Sequence, residues 1–371
     1  MRFDLDVDQA ALAALAHRVF TDSLPDDRAE ILAGRPGADA QTWERLATEA
    51  GFPSIAVPGD QDGSDGTWLD LAVVLEAAGQ AVSSQPLLAT AGAAVAVLRA
   101  GGPGAHPVLA AIASGELTAT WLDAARPTEG LTASAVEGRW SVSGERAHVP
   151  HGDSVALLVL TARTPDGLGL FSVERGSASV ASETPLDPTR SLGTVVLEGA
   201  PATALTTDLD EADVARAQAI TRILLTAEQV GVGQGVLDLA VEHALTRQQF
   251  GRVIGGFQAV KHLLADAYAE VDSARVVARY GAWVASASPE EVDGLEDLEE
   301  VAAFTAAHVS PATQRAAAIA LQVLGGVGYT WEHAAHLYYK RAVSSARLLG
   351  APDEHLDRIA AGLGLGSKEP R

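Results

Sequence analysis

Apolar residues recur at three- and four-residue spacing from about Val7 to Gly115: Ala11, Leu12, Leu15 and Val19, then Trp43, Leu46 and Ala47, then Leu69, Val73, Leu75 and Ala78. That spacing gathers them on one face of a helix, so residues 1–115 are predicted to form an N-terminal helical domain. Breaks fall at Gly34-Arg35-Pro36-Gly37 and across Pro58–Gly66. From Leu117 to about Leu209 the period drops to two, with Gly, Pro, Asp and Ser at the turns. Strands are predicted at Leu117–Trp121, Trp140–Ser143, Val155–Thr161, Leu168–Val173 and Gly193–Leu197, which makes residues 116–210 a small antiparallel β domain. Helical periodicity returns at Asp213 and lasts to about Gly362, broken at Gly251–Gly256, Ser286–Leu295, Gly325–Tyr329 and Gly350–Asp353. Four to five long helices of this kind suit an antiparallel bundle over residues 211–371. The acidic run Glu290–Glu300 reads as a solvated connection. The fold class is α+β, mainly α.

Composition narrows the partners. The chain has 371 residues, 47% hydrophobic and 20% charged, a globular balance. Its net charge of −22 repels nucleic acid and anionic lipid, so both are set aside as partners, although a local arginine cluster can still hold a small anion. There is no cysteine, which excludes disulfides, thiolate catalysis and cysteine zinc sites. The acidic N-terminus, Met-Arg-Phe-Asp-Leu-Asp-Val-Asp, does not read as a signal peptide, and no charge-free apolar run has the ~18 to 20 residues that a membrane span needs. A soluble cytoplasmic protein is expected.

Two metal readings are weighed and set aside. Asp60, Asp62 and Gly63 look like the opening of a calcium loop, but Leu71 stands where a bidentate glutamate is required. His148, His151 and Asp153 surround Pro150, which suggests a turn, and they read as polar lining rather than metal ligands. The stronger chemistry lies in Arg247-Gln248-Gln249-Phe250-Gly251, followed by Ile254 and by Phe257-Gln258-Ala259-Val260-Lys261-His262, at a junction between two helices. The arginine fork suits a pyrophosphate, glutamine adds a neutral donor, and the phenylalanine can lie against a ring. Taken alone, Arg247 also fits as a complement to a helix C-terminus and Phe250 as core. Some seventy residues on comes Leu321-Gln322-Val323-Leu324-Gly325-Gly326-Val327-Gly328-Tyr329, whose glycines admit a ligand against the backbone or cap a helix.

With these two motifs at that separation after a β domain, the chain resembles the acyl-CoA dehydrogenases over nearly its whole length. Gly51-Phe52 with Ala56-Val57-Pro58, Val74-Leu75-Glu76 with Gly79, and Val142-Ser143-Gly144-Glu145-Arg146 add to the resemblance. It implies FAD at a subunit interface and removal of an α-proton and a β-hydride from an acyl thioester. It also implies that Arg247, Gln249, Phe250, Ile254, Phe257, Gln258, Gln322, Val323, Gly325 and Gly326 serve FAD held mainly by the neighbouring subunit.

The rest of the family's flavin site does not match. A C-V-T-E-P-x-A-G-S-D-like loop is replaced by Thr118-Ala119-Thr120-Trp121-Leu122-Asp123-Ala124-Ala125, and a W-I-T-N-G-like segment by His148-Val149-Pro150-His151-Gly152. Ala351 and Asp353 stand where a terminal Y-E-G-T-x-Q-like segment has threonine and glutamine. The family's catalytic glutamate aligns with Leu349, and its alternative with Thr221. Glu228, roughly 10 Å further along the helix, is the remaining base candidate and otherwise an interhelical hydrogen-bonding residue. Arg222 is a candidate for lining an acyl-CoA channel, or else an ion-pair residue.

The resemblance therefore implies the smaller, non-catalytic subunit of a heteromeric α2β2 acyl-CoA dehydrogenase of the actinobacterial steroid (cholesterol) side-chain type. A homologous catalytic subunit is the expected partner, a bulky acyl-CoA the substrate, and electron-transfer flavoprotein or a similar protein the acceptor. Two alternatives stay open: a self-sufficient homotetramer with a non-standard base, and a non-catalytic assembly or acyl-CoA-binding relative.

Overall fold

The computed structural model describes residues 5–33, 38–123, 130–287 and 297–365. Outside them lie Met1–Asp4 of the N-terminal reading, the break at Gly34–Gly37, Ala124 and Ala125, and most of the 286–295 break and of the acidic run. Five helices open the chain: α1 (Val7–Leu32), α2 (Ala40–Glu44), α3 (Trp68–Gln80), α4 (Val95–Leu98) and α5 (His106–Ala113). Seven strands follow: β1 (Ala119–Trp121), β2 (Thr132–Val136), β3 (Arg139–Pro150), β4 (Leu157–Thr164), β5 (Gly167–Glu174), β6 (Ser179–Ser182) and β7 (Leu192–Thr206). Then come α6 (Glu211–Thr246), the short β8 (Gln248–Gln249) and β9 (Arg252–Val253), α7 (Gln258–Ser286), α8 (Leu298–Leu324), α9 (Ala335–Leu348) and α10 (Pro352–Gly362). The α+β, mainly helical class follows directly from this order. Two compact units result, one of residues 36–71 and 84–221, the other of residues 1–35, 72–83 and 222–371.

The first unit holds the sheet, ordered β1-β4-β2-β3-β7-β5, with β6 on β7 and β4 also pairing β5. The expectation of a purely antiparallel sheet needs correction. Ala119 of β1 lies opposite Leu157 of β4 in a parallel pair, and Thr132 of β2 meets Arg163 of β4 in the same sense. The turn after the β2–β3 hairpin brings β4 back into the direction of β1 and β2. Two strands escaped the period-two reading, β2 with one buried residue and β6 with none. A strand with no apolar face leaves no alternation to read. Pro150 also differs from expectation, because β3 runs through it and the turn begins at His151. The core beneath the sheet contains Leu131, Val142, Leu158, Leu160, Phe171 and Val195, all sealed from solvent.

In the second unit the helices pack through small residues. Ala240, Ala244, Ala317, Ala320 and Ala342 form one cluster with Val232 and Val236, and Ala267, Ala274, Ala312 and Ala316 another with Val230 and Val271. The α3 and α6 backbones touch: a Cβ on Gly231 would fall 1.9 Å from the Glu76 carbonyl oxygen, and one on Gly79 1.9 Å from that of Glu228. No residue but glycine fits such an approach. It draws Glu228 into the interior. The described end of the acidic run is exposed, as expected of a solvated segment, but from Leu298 it is the first turn of α8 rather than a connection. Asp297 Oδ1 accepts from the Glu299 amide at 3.0 Å, and Glu299 and Glu300 sit in the first helical turn, where the dipole favours them. Among the described residues no helix is long and apolar enough to cross a membrane.

Candidate functional site

The helix junction expected after Thr246 is a β-hairpin. Gln248 pairs with Val253 and Gln249 with Arg252, and Phe250 and Gly251 make the turn with φ of 52° and 78°. Two left-handed residues in succession give the tight turn whose twist suits a two-residue hairpin, with glycine second. Sequence reading missed it because the strands are two residues long and carry no apolar alternation. The turn holds Phe250 out, 91% exposed, with its ring edge-on to Phe257 at 6.1 Å. Arg252 lies over the other aromatic, 4.0 Å from the Phe257 ring centre. Gln258 and His262 are joined at 3.0 Å. Arg247 is exposed, and its guanidinium makes no hydrogen bond or ion pair among the described residues. A fork unpaired among the described residues, beside the exposed Gln248 and Gln249 amides and an outward ring, can meet an anionic, flat ligand.

The second motif is brought to the first by packing. Ile254, just past the hairpin, lies against the cluster that contains Val323 of α8. Gln322 beside it is exposed. Gly325 has φ of 62° and ends α8, and a Cβ on Gly325 or Gly326 would meet nothing within 4 Å. The glycines thus cap the helix and also leave open space against the backbone, so the two readings coexist.

The positions of the unmatched half are spent on other contacts. Asp123 is sealed in the first unit, paired with Arg146 at 2.8 Å and accepting from Thr161 Oγ1 at 2.6 Å. Burial pushes its carboxyl pKa up, and Arg146 and Thr161 counter that. The Pro150 carbonyl accepts from Thr120 Oγ1 at 2.7 Å. His148 turns outward to Glu183, 2.6 Å away, whereas His151 is buried with its Nδ1 3.4 Å from Ser191 Oγ.

Both aligned base positions lack a proton acceptor of the needed strength. Leu349 is buried, and the Thr221 hydroxyl is buried and donates to the Ala217 carbonyl at 2.7 Å. Glu228 is 3% exposed and accepts from Arg341 Nε at 3.0 Å, while Arg341 Nη2 donates to the Ser83 carbonyl at 3.1 Å. Arg222 is buried too, with its Nε donating to the Leu349 carbonyl at 3.3 Å. Burial pulls its pKa down to about 10, and Arg358 pulls the same way while Glu299 opposes.

Sequence reading passed over His355, which packs under this segment. A Cβ on Gly350, where φ is 113°, would lie 2.8 Å from His355 Cε1. Burial, then Arg222 and Arg358, push the imidazole pKa down to about 4, partly offset by a backbone hydrogen bond with Gly350. Its stabilising effect should therefore be complete above the ordinary value of 6.5 and should fall as pH drops towards 4, because the unfolded chain takes up the proton first. The urea midpoint should be lower at about pH 5 than at pH 7, and His355→Gln should shrink that difference. An undiminished difference in the variant would show that other groups carry it.

Comparison with known proteins bears on the same segments. Residues 214–364 match the model for the C-terminal domain of acyl-CoA dehydrogenase. The acyl-CoA dehydrogenase IpdE2 of Mycobacterium tuberculosis is 33% identical over 328 residues, 88% of each chain. The chain belongs to the acyl-CoA dehydrogenase family. FadE34, another acyl-CoA dehydrogenase of M. tuberculosis, is 35% identical over 84% of this chain but only 40% of its own length. Among solved structures, the ChsE4–ChsE5 complex of M. tuberculosis gives a TM-score of 0.85 at 26% identity, covering 99% of this chain and 100% of that one. A variant of the Tcur3481–Tcur3483 steroid ACAD gives 0.82 at 28%, covering 96% and 98%.

Acyl-CoA dehydrogenases are FAD-dependent oxidoreductases. The donor set of this chain fits FAD in part. Arg247, Gln249, Gln258 and the open glycine turn suit a pyrophosphate and its adenosine. Pro150 and Ala351, by contrast, carry no side-chain hydrogen-bond donor.

Proposed function

We propose that this chain is the non-catalytic subunit of a heteromeric FAD-dependent acyl-CoA dehydrogenase, an α2β2 tetramer that forms the α,β double bond of a bulky, steroid side-chain acyl-CoA. The observation that carries the reading is an asymmetry within the chain. Arg247, Gln249 and Phe250 are exposed, and the Arg247 guanidinium is unpaired among the described residues, whereas the base positions at Leu349 and Thr221 are buried and hold no carboxylate. Residues 1–115, 116–210 and 211–371 would be its domains, with the last forming the interface.

In this assembly the partner subunit supplies the glutamate base and most of the cofactor pocket. FAD, when bound, accepts the electron pair taken from the substrate. Arg247 would hold the pyrophosphate, with Gln249, Phe250, Ile254, Phe257 and Gln258 beside it. Gln322, Val323, Gly325 and Gly326 would border the adenosine end. An electron-transfer flavoprotein or similar cytoplasmic acceptor would take the electrons onward. Support comes from the likeness to a two-component complex and to a steroid ACAD. FadE34 also supports it, since more than half of its length lies outside the match, with room for a second such unit in one chain.

The test is turnover. Purified alone, the chain should not oxidise a steroid side-chain acyl-CoA with an artificial electron acceptor, and adding the partner subunit should bring the activity up. Turnover by the chain alone would overturn the proposal.

A further inference from the structure

We propose that the cavity between α8, the Gly325–Tyr329 turn and α9 is a binding site for a flat, apolar molecule that carries an anionic group. It has a volume of about 360 Å3 and is walled chiefly by Leu321, Tyr329, Trp331, His336, Tyr339 and Lys340. A cavity of this size, mostly apolar with a few convergent polar groups, is what a small organic ligand requires. Its rings are unusually open for aromatic side chains: Trp331 is 73% exposed and Tyr329 69%. Side chains so large and apolar, gathered in one place at the surface, mark a surface that is covered in use.

The charge of the ligand follows from the polar groups on the walls. Lys340 Nζ sits 4.3 Å from the centre of the Trp331 ring, and Lys340 forms no ion pair among the described residues. His336 meets the edge of the same indole, ring centres 5.2 Å apart, with its Nε2 3.2 Å from the Trp331 carbonyl. Burial lowers the His336 pKa, so the imidazole adds no second charge at neutral pH. Among the described residues the wall's one ionised group is therefore the Lys340 ammonium. Among the described residues no carboxylate lines the cavity, although the chain carries 48 acidic residues. Indole N–H and ammonium are donors only and the phenols can donate as well as accept, so a ligand with acceptors matches the wall. Stacked on Trp331, such a ligand would place its anionic end at Lys340 and its rings against Leu321 and Tyr339. Fused-ring carboxylates and sulfonates have that form. The cavity shares the Gly325–Tyr329 turn with the FAD reading, but none of Arg247, Gln249, Gln258, Gln322, Gly325 and Gly326 lines it.

Anilinonaphthalene sulfonate, titrated into the full chain and followed by fluorescence, tests this. Saturable binding of one molecule per chain is expected, with displacement by cholate. Lys340→Met should weaken binding by about tenfold or more, the loss of one charge-assisted contact. Uncharged phenylnaphthylamine should bind Lys340→Met and the parent alike, while Trp331→Ala should weaken both probes. Lys261→Met, which alters an exposed lysine on α7, should change neither. Melting curves matched to the parent exclude loss of fold. Absence of saturable binding, or equal sulfonate affinity in Lys340→Met and the parent, would overturn the proposal.

Discussion

Replacing Arg247 with alanine is expected to lower the affinity of the assembled complex for FAD by about 100-fold, while the isolated chain keeps its fold. Hydrogen bonds to a charged group contribute about 1.5 to 3 kcal/mol each, and about 1.4 kcal/mol is a factor of ten, so a two-pronged contact with pyrophosphate accounts for that loss. The side chain is exposed and makes no hydrogen bond or ion pair among the described residues that its removal would break. Its loss should therefore leave the circular dichroism and melting curve of the chain unchanged. Arg247→Lys should recover only part of the affinity, because an ammonium cannot meet two phosphate oxygens as a planar fork does. Flavin content after gel filtration reads the outcome. Full occupancy in Arg247→Ala would remove this residue from the cofactor site.

The second large effect concerns Glu228. Its carboxylate and Arg341 are both 3% exposed and joined at 3.0 Å. Truncating one member of such a pair strands the other charge in the interior, at a cost of about 3 to 5 kcal/mol. Glu228→Ala should lower the urea stability of the chain by that amount. Glu228→Leu combined with Arg341→Met should recover much of it, since apolar residues of similar volume often replace a buried pair without net loss. The same position separates two accounts of catalysis. As a structural pair, Glu228→Gln in the assembled complex leaves turnover per bound FAD unchanged within about threefold, far less than the loss of a general base. A fall of several hundredfold per flavin would make Glu228 the base and the chain an enzyme in its own right.

How much of this was legible in the sequence depended on the kind of signal. The helices and the five strands with several buried residues were readable because burial selects apolar side chains, in alternation at the start of β7 around Val195 and as continuous runs through β4 and β5 around Phe171. β2 and β6 have little buried face, and the parallel pairing of β1 with β4 is a matter of topology that no local period encodes. The Phe250-Gly251 turn lay within the arginine motif, but a hairpin of two-residue strands has no pattern to show. Burial partners were harder still. Glu228 on α6 and Arg341 on α9 are 113 residues apart, a separation that no local spacing connects. His355 and the cavity around Trp331 and Lys340 likewise need the fold to bring α9, α10 and their neighbours together. Arg247 stood out in the sequence because the chemistry of an arginine fork belongs to the residue itself and its immediate neighbours.

The most direct measurement is the ratio of flavin to protein in this chain purified alone, and again after co-expression with an acyl-CoA dehydrogenase that keeps the glutamate and the full flavin loop. A chain that contributes only the half of the site given to a neighbour should carry no flavin alone and about one FAD per heterodimer with its partner. Full flavin occupancy in the chain alone would contradict the split site, and would mean that His148–Gly152 and Gly350–Asp353 hold the cofactor by contacts their side chains do not suggest.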